Sequence, residues 1–186
     1  MNININDIKN GMTIIINDNL CLIQEFQHVK PGKGPAFVRI KLKNLKTGSI
    51  VEETFNTNIK VEKAHVEKQA MQFLYAQGDT YFFMNNSDYS QLEVDAKTLE
   101  DYADFLKEGL EVTIQTHNGE IIGIDLPEKI EYEITETTEA VKGNTSSGAM
   151  KEATIETGLV VKVPLFIKTG EKIIITTRDG KYDSRA

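Results

Sequence analysis

Of the 186 residues in this chain, one lysine is set apart by its neighbours. In Lys30-Pro31-Gly32-Lys33-Gly34-Pro35 a cation stands between two glycines that remove side-chain cover and relax the backbone, while the prolines stiffen the loop shoulders. The flanking stretches alternate apolar and polar residues as strands do, so Lys33 is expected at the tip of a long hairpin. An amine held out there suits delivery into another molecule's site. In the second arm Phe37, Arg39, Lys41 and Lys43 share one face while Val38, Ile40 and Leu42 share the other. From Phe26 to Val51 there are six Lys or Arg and no Asp or Glu. Alone, such a face reads as a solvated hairpin; the lysine tip is what singles it out.

Other chemistries fit less well. A phosphate-binding P-loop needs its glycines and lysine to open a helix, whereas Lys33 is followed by Gly-Pro and a strand, which excludes nucleotide binding. Glu100, Asp101, Asp104 and Glu108 could be sought as paired acids and bases, but all fall off the apolar stripe of the segment that carries them, on its wet face. His28, His65 and His117 have no cysteine or second histidine near them in sequence, so no metal site is expected. Cys21, between Leu20 and Leu22, reads as a packed thiol. With no nucleophile, base and orienter set, a non-enzyme without a cofactor is expected. Two polar stretches near the end remain. Lys142 to Lys151, which holds Gly143, Asn144 and Thr145, offers donors for phosphates or base edges, or is simply a loop. The tail places Tyr182 between Arg178 and Arg185, to stack on nucleic acid or to close a hairpin.

The elements that must position these residues are mostly strands. Ile3, Ile5 and Ile8 open a strand-like stretch, followed by Thr13 to Ile16, Leu20 to Phe26, Phe37 to Leu45 and Ile50 to Thr54, and short, evenly spaced strands suggest a small barrel over 1–64. Over 65–127, strands at Met71 to Ala76, Thr80 to Met84 and Ser90 to Val94 precede a stripe of Ala96, Leu99, Ala103, Leu106 and Leu110. That spacing predicts one helix, capped by Asp95. Two further strands joined at Asn118-Gly119 complete an OB-type barrel. Strands at Ile130 to Thr135, Ala153 to Glu156, Val160 to Pro164 and Lys172 to Thr177 predict a second OB-like barrel over 128–186. The whole reads as mainly β, three barrel modules in a row with little to bury between them.

Composition agrees with a folded protein: 40% hydrophobic and 26% charged residues fit neither a disordered nor a fibrous chain. The single cysteine allows no internal disulfide, no apolar run approaches the roughly 20 residues that span a bilayer, and no secretory signal opens the chain, so a soluble cytoplasmic protein without a membrane partner is expected.

Over essentially its whole length the sequence resembles the bacterial elongation factor P family. The tip Lys30 to Arg39 is similar to the loop that carries the family's functional lysine. Lys151 to Gly170 fits the family signature K-x-A-x4-G-x2-[LIV]-x-V-P-x2-[LIV]-x2-G at Lys151, Ala153, Gly158, Val161, Val163, Pro164, Ile167 and Gly170. The resemblance implies an L-shaped, tRNA-like molecule with a KOW-like (SH3-like) barrel followed by two OB domains. It implies a monomeric factor that enters the 70S ribosome between the P and E sites and relieves stalling at consecutive prolines. Lys33 would reach toward the CCA end of the P-site peptidyl-tRNA, with Arg39, Lys41 and Lys43 along its backbone. Gly143, Asn144 and Thr145 would lie near RNA at the E-site codon, where the family often has Gly-Asp-Thr. It also implies a modifying enzyme for the tip; Lys33 excludes the sugar that arginine tips carry, and the proline-flanked tip looks more like the Gram-positive variant with an aminopentanol-type extension. An elongation factor P-like paralogue would share the fold, but the Lys33 tip and full signature favour the family proper. A general single-stranded RNA-binding OB protein would need cations among its aromatics, whereas Tyr75, Tyr81, Phe82, Phe83 and Tyr89 have almost none.

The formal net charge of −7 argues against a nucleic-acid partner until it is divided. Residues 1–64 hold nine Lys or Arg against six Asp or Glu, 65–127 three against twelve, and 128–186 nine against ten. The acidity belongs to the middle module, which is expected to face away from RNA or toward basic ribosomal protein.

Overall fold

The computed structural model describes residues 1–139 and 148–186; Gly143, Asn144 and Thr145 lie outside them. Nearly all regular structure is strand, gathered into three sheets. The first contains β1 (Asn2–Asn4), β2 (Thr13–Ile16), β3 (Asn19–Val29), β4 (Phe37–Asn44), β5 (Ile50–Asn56) and β6 (Lys60–Lys63), in the order β1-β6-β2-β3-β4-β5. Alternation directs Ile14, Cys21, Ile23, Val38, Ile40, Leu42 and Val61 into one core. Each such side chain contributes roughly 1.5–3 kcal/mol through burial. The opening departs from the expected alternation. After β1 the chain takes a 3-10 turn over Ile5–Asp7, where the Asn4 side chain accepts the Asn6 N–H at 2.9 Å. Three residues per turn set Ile5 and Ile8 on the same side, and both are buried.

The second sheet contains β7 (Glu67–Gln77), β8 (Thr80–Asn85), β9 (Gln91–Asp95), β10 (Glu111–His117) and β11 (Glu120–Asp125), in the order β11-β10-β7-β8-β9. The third contains β12 (Lys129–Thr137), β13 (Met150–Ile155), β14 (Val160–Pro164), β15 (Lys172–Thr176) and β16 (Lys181–Arg185), in the order β14-β13-β12-β15-β16. By compactness the chain divides into two units: residues 1–67 with 116–122, and residues 68–115 with 123–186.

The helix expected from Ala96 to Leu110 is not continuous. Asp95 caps it as anticipated, its Oδ1 accepting the Lys97 N–H at 3.0 Å, but α1 (Ala96–Leu99) is one turn long. At Glu100 the backbone swings to φ +50°, and a 3-10 segment carries on to Phe105. In an unbroken helix Phe105 would fall about 240° round from Leu99, off the apolar stripe. The break lets Leu99, Phe105 and Leu106 all be buried, while Glu100, Asp101, Asp104 and Glu108 stay exposed.

Phe105 also corrects the expectation that little is buried between modules. Its ring belongs to the core of the third sheet, with Ile130, Tyr132, Ile134, Ile155, Val163 and Ile175. The buried Tyr132 hydroxyl donates to the Phe105 carbonyl oxygen. Lys107 sits 5.3 Å from the centre of the Tyr132 ring and 3.8 Å from Glu156 Oε1. The segment after β9 is thus packed into the barrel that follows.

Candidate nucleic-acid interface

The hairpin that carries Lys33 is the longest paired element of the first sheet. β3 and β4 pair from Cys21 opposite Asn44 out to Val29 opposite Phe37, with one register shift between Ile23 and Glu25. At about 3.3 Å per residue the eleven residues of β3 run roughly 36 Å. Residues 30–36 close it as an irregular loop in which Lys30, Gly32, Lys33, Gly34 and Pro35 are exposed and Pro31 is half-buried. The two glycines differ. Gly34 takes φ +105°, a conformation that strains any L side chain, whereas Gly32 does not; a Cβ on either would meet nothing within 4 Å.

Along β4, Val38, Ile40 and Leu42 are fully buried, and Arg39, Lys41 and Lys43 occupy the opposite face. The acid-free run in the sequence does not give an acid-free surface. Register sets Lys41 between Glu25 on β3 and Glu52 on β5, and Arg39 Nε lies 3.5 Å from Glu52 Oε1 with both side chains about half exposed. These carboxylates come from neighbouring strands, and the signal that could have found them is hairpin register. Cys21 is buried, and burial, with the nearby Glu53 charge second, pushes its thiol up.

Two histidines far apart in sequence meet in the first unit, though not as metal ligands. His117 Nδ1–H donates to the His65 carbonyl oxygen at 2.7 Å, which leaves Nε2 as the acceptor for the Asn118 side-chain amide at 3.3 Å. Among the described residues no group of His, Cys, Asp or Glu is arranged to hold a metal ion. None of their helices is long and apolar enough to cross a membrane.

In the third sheet Tyr182 is half-buried and packs against the core from β16. Arg185 is exposed but held: its guanidinium pairs with Glu171 and lies 5.4 Å from the centre of the exposed Phe166 ring. Glu171 is held below the usual carboxylate range, first by the Lys168 backbone N–H and then by Arg185. Sequence reasoning missed both Glu171 and Phe166. On the same strand Asp183 accepts from Lys129 Nζ at 3.0 Å.

Comparison with known families separates what is shared from what is particular. Residues 4–61 match the elongation factor P KOW-like domain, 66–124 the elongation factor P OB domain, and 130–185 the elongation factor P C-terminal domain. The chain belongs to the elongation factor P family. It is accordingly a mainly-β translation factor of KOW and OB domains. Among solved structures it is similar to eukaryotic translation initiation factor 5A from Methanococcus jannaschii, at 25% identity and a TM-score of 0.54, over 68% of this chain and 94% of that one. A translation initiation factor eif-5a family protein from Naegleria fowleri is 20% identical over 68% of this chain and 98% of its own, with a TM-score of 0.47. The elongation factor P signature itself is structural. Ala153, Val161, Val163 and Ile167 are core residues, Gly158 and Gly170 take φ near +90° in turns, and Lys151 Nζ donates to the Thr138 carbonyl.

Proposed function

We propose that this elongation factor P family member binds the ribosome between the P and E sites and promotes peptide-bond formation where consecutive prolines stall it. The observation that supports this most is Lys33 itself, exposed at the end of a long paired hairpin. In this reading the tip loop, Lys30, Pro31, Gly32, Gly34 and Pro35, carries the amine toward the CCA end of the peptidyl-tRNA, with or without a group added by a modifying enzyme. Arg39, Lys41 and Lys43 meet the tRNA backbone. Gly143, Asn144 and Thr145 meet RNA near the E-site codon, and Tyr182 and Arg185 contact RNA from the C-terminal domain. The protein works in the cytoplasm as a monomer and supplies no reacting group of its own. The ribosome performs the chemistry, and the factor lowers the entropic part of the barrier by holding a restricted substrate in attack geometry. The test is translation of a message with a run of proline codons in a reconstituted system. Lys33→Ala should keep the fold, checked by circular dichroism, and lose the relief of stalling; full activity in this variant would sink the proposal.

A further inference from the structure

The second sheet carries a partly exposed row that the hairpin does not use. Register sets Tyr75 on β7 opposite Phe82 on β8, and Phe82 opposite Glu93 on β9. Directly opposed residues share a face, with Cβ atoms about 5 Å apart. Phe73 and Tyr75 would point the same way in a regular strand, but a register shift between them turns Tyr75 outward while Phe73 stays in the interior with Phe83 and Val94. Tyr75 is 51% exposed, and its ring stacks on Phe82 with centroids 4.6 Å apart and planes 20° from parallel. The bulge brings an aromatic out of the core and stacks it on a second, partly exposed one, an apolar patch of the kind that marks an interaction site.

The surroundings choose the partner. The rows on either side are Gln77, Thr80 and Asp95, and Gln72, Met84 and Gln91. The nine positions hold two carboxylates and no Lys or Arg. Lys97, exposed on α1, lies outside these paired rows. Surfaces that stack nucleic-acid bases interleave their aromatics with cations; this one has none in its rows and is edged along β9 by Glu93 and Asp95, which would repel phosphates. A flat cation fits instead, since a guanidinium can lie on an aromatic face while its N–H fork meets a carboxylate. We propose that the Tyr75–Phe82–Glu93 row is a docking surface for an arginine-bearing segment of a basic protein.

The test is fluorescence anisotropy of the full chain with a labelled peptide of four arginines spaced by Gly-Ser, alongside its four-lysine and four-citrulline counterparts. Arginine should bind best, lysine more weakly and citrulline not measurably. Tyr75→Ala should weaken arginine binding roughly five- to tenfold, and Tyr75→Leu, which keeps apolar bulk but removes the ring, by a similar factor. Glu93→Gln should weaken it about two- to fivefold. The pair Asp101→Asn and Asp104→Asn, which removes charge away from the row, should have less effect than Glu93→Gln. Thermal midpoints close to the parent's establish that the variants are folded. Absence of binding, Tyr75 variants that bind as the parent does, or an equal loss in the Asp101 and Asp104 pair would each overturn the proposal. So would a single-stranded oligonucleotide that binds in place of the peptide and is lost with Tyr75→Ala.

Discussion

Replacing Phe105 tests whether the segment after β9 truly belongs to the barrel that follows it. The ring is only 8% exposed, lies among the core residues of the third sheet, and packs under the β15–β16 turn, where a Cβ on Gly180 would come within 3.5 Å of its Cζ. Its own carbonyl receives the Tyr132 hydroxyl, so ring and backbone are held from opposite sides. Phe105→Ala removes a large buried ring that its rigid neighbours cannot replace, and should cost about 3–5 kcal/mol. Because 1.4 kcal/mol is about a factor of ten, the amides of Ile130 to Ile134 should exchange with solvent about 100-fold faster or more in native-state hydrogen exchange. Tyr132→Phe, which leaves the Phe105 carbonyl without its donor, should cost about 1–3 kcal/mol and couple with the first substitution in a double-mutant cycle. Acceleration of less than about tenfold, or acceleration confined to residues 100–106, would refute the reasoning: the ring would then be an ornament on the third barrel and not part of its core.

Three further outcomes follow from the geometry. Glu52→Gln frees Arg39 and Lys41 of a facing carboxylate, and should shift stability by less than about 1 kcal/mol while raising the salt needed to elute the protein from a heparin column. Cys21, buried and with its thiol pushed up, should resist iodoacetamide in the native protein at pH 8 and react readily in denaturant, as followed by mass spectrometry. Glu171, Asp179 and Asp183 are held below the usual carboxylate range, chiefly by the Lys168 N–H, the Thr176 hydroxyl and the Lys129 ammonium respectively. A depressed folded value adds stability above the unfolded value that is lost as pH falls through the folded one. The thermal midpoint should therefore hold above about pH 5 and drop below about pH 4, less steeply in Glu171→Gln.

Much of the fold was legible because strands and turns write themselves locally. Val38, Ile40 and Leu42 alternate with Arg39, Lys41 and Lys43 by covalent geometry alone, and Asn118-Gly119 supplies the two positive φ angles a tight hairpin turn needs. The failures arose where tertiary burial overrode local pattern. Nothing between Asp95 and Leu110 announces that Phe105 is wanted in another sheet, so a helical stripe was read straight through a break at Glu100. Ile3, Ile5 and Ile8 look like one strand-like stretch in sequence, whereas a 3-10 turn after Asn4 sets Ile5 and Ile8 together. At the candidate site the tip was visible, yet its electrostatic setting was not, because Glu25 and Glu52 come to lie opposite Lys41 only through strand register. Arg185 was visible too, while Glu171 and Phe166, which hold it, lie 14 and 19 positions earlier in the chain.

The hairpin tip has one more implication. Pairing stops at Val29 and Phe37, a Cβ on Gly32 or Gly34 would meet nothing within 4 Å, and residues 32–35 are exposed, so these four positions contribute little to the barrel's folding free energy. Such a loop behaves as a cassette. Apart from Gly34, it can be rewritten, lengthened or chemically extended while the barrel beneath keeps its thermal midpoint, and the barrel can drift in sequence without moving the tip. Gly34 is selected by its own backbone at φ +105°, but what selects a lysine at position 33 acts from outside the chain, and loops exchanged between barrels of this kind should carry their specificity with them.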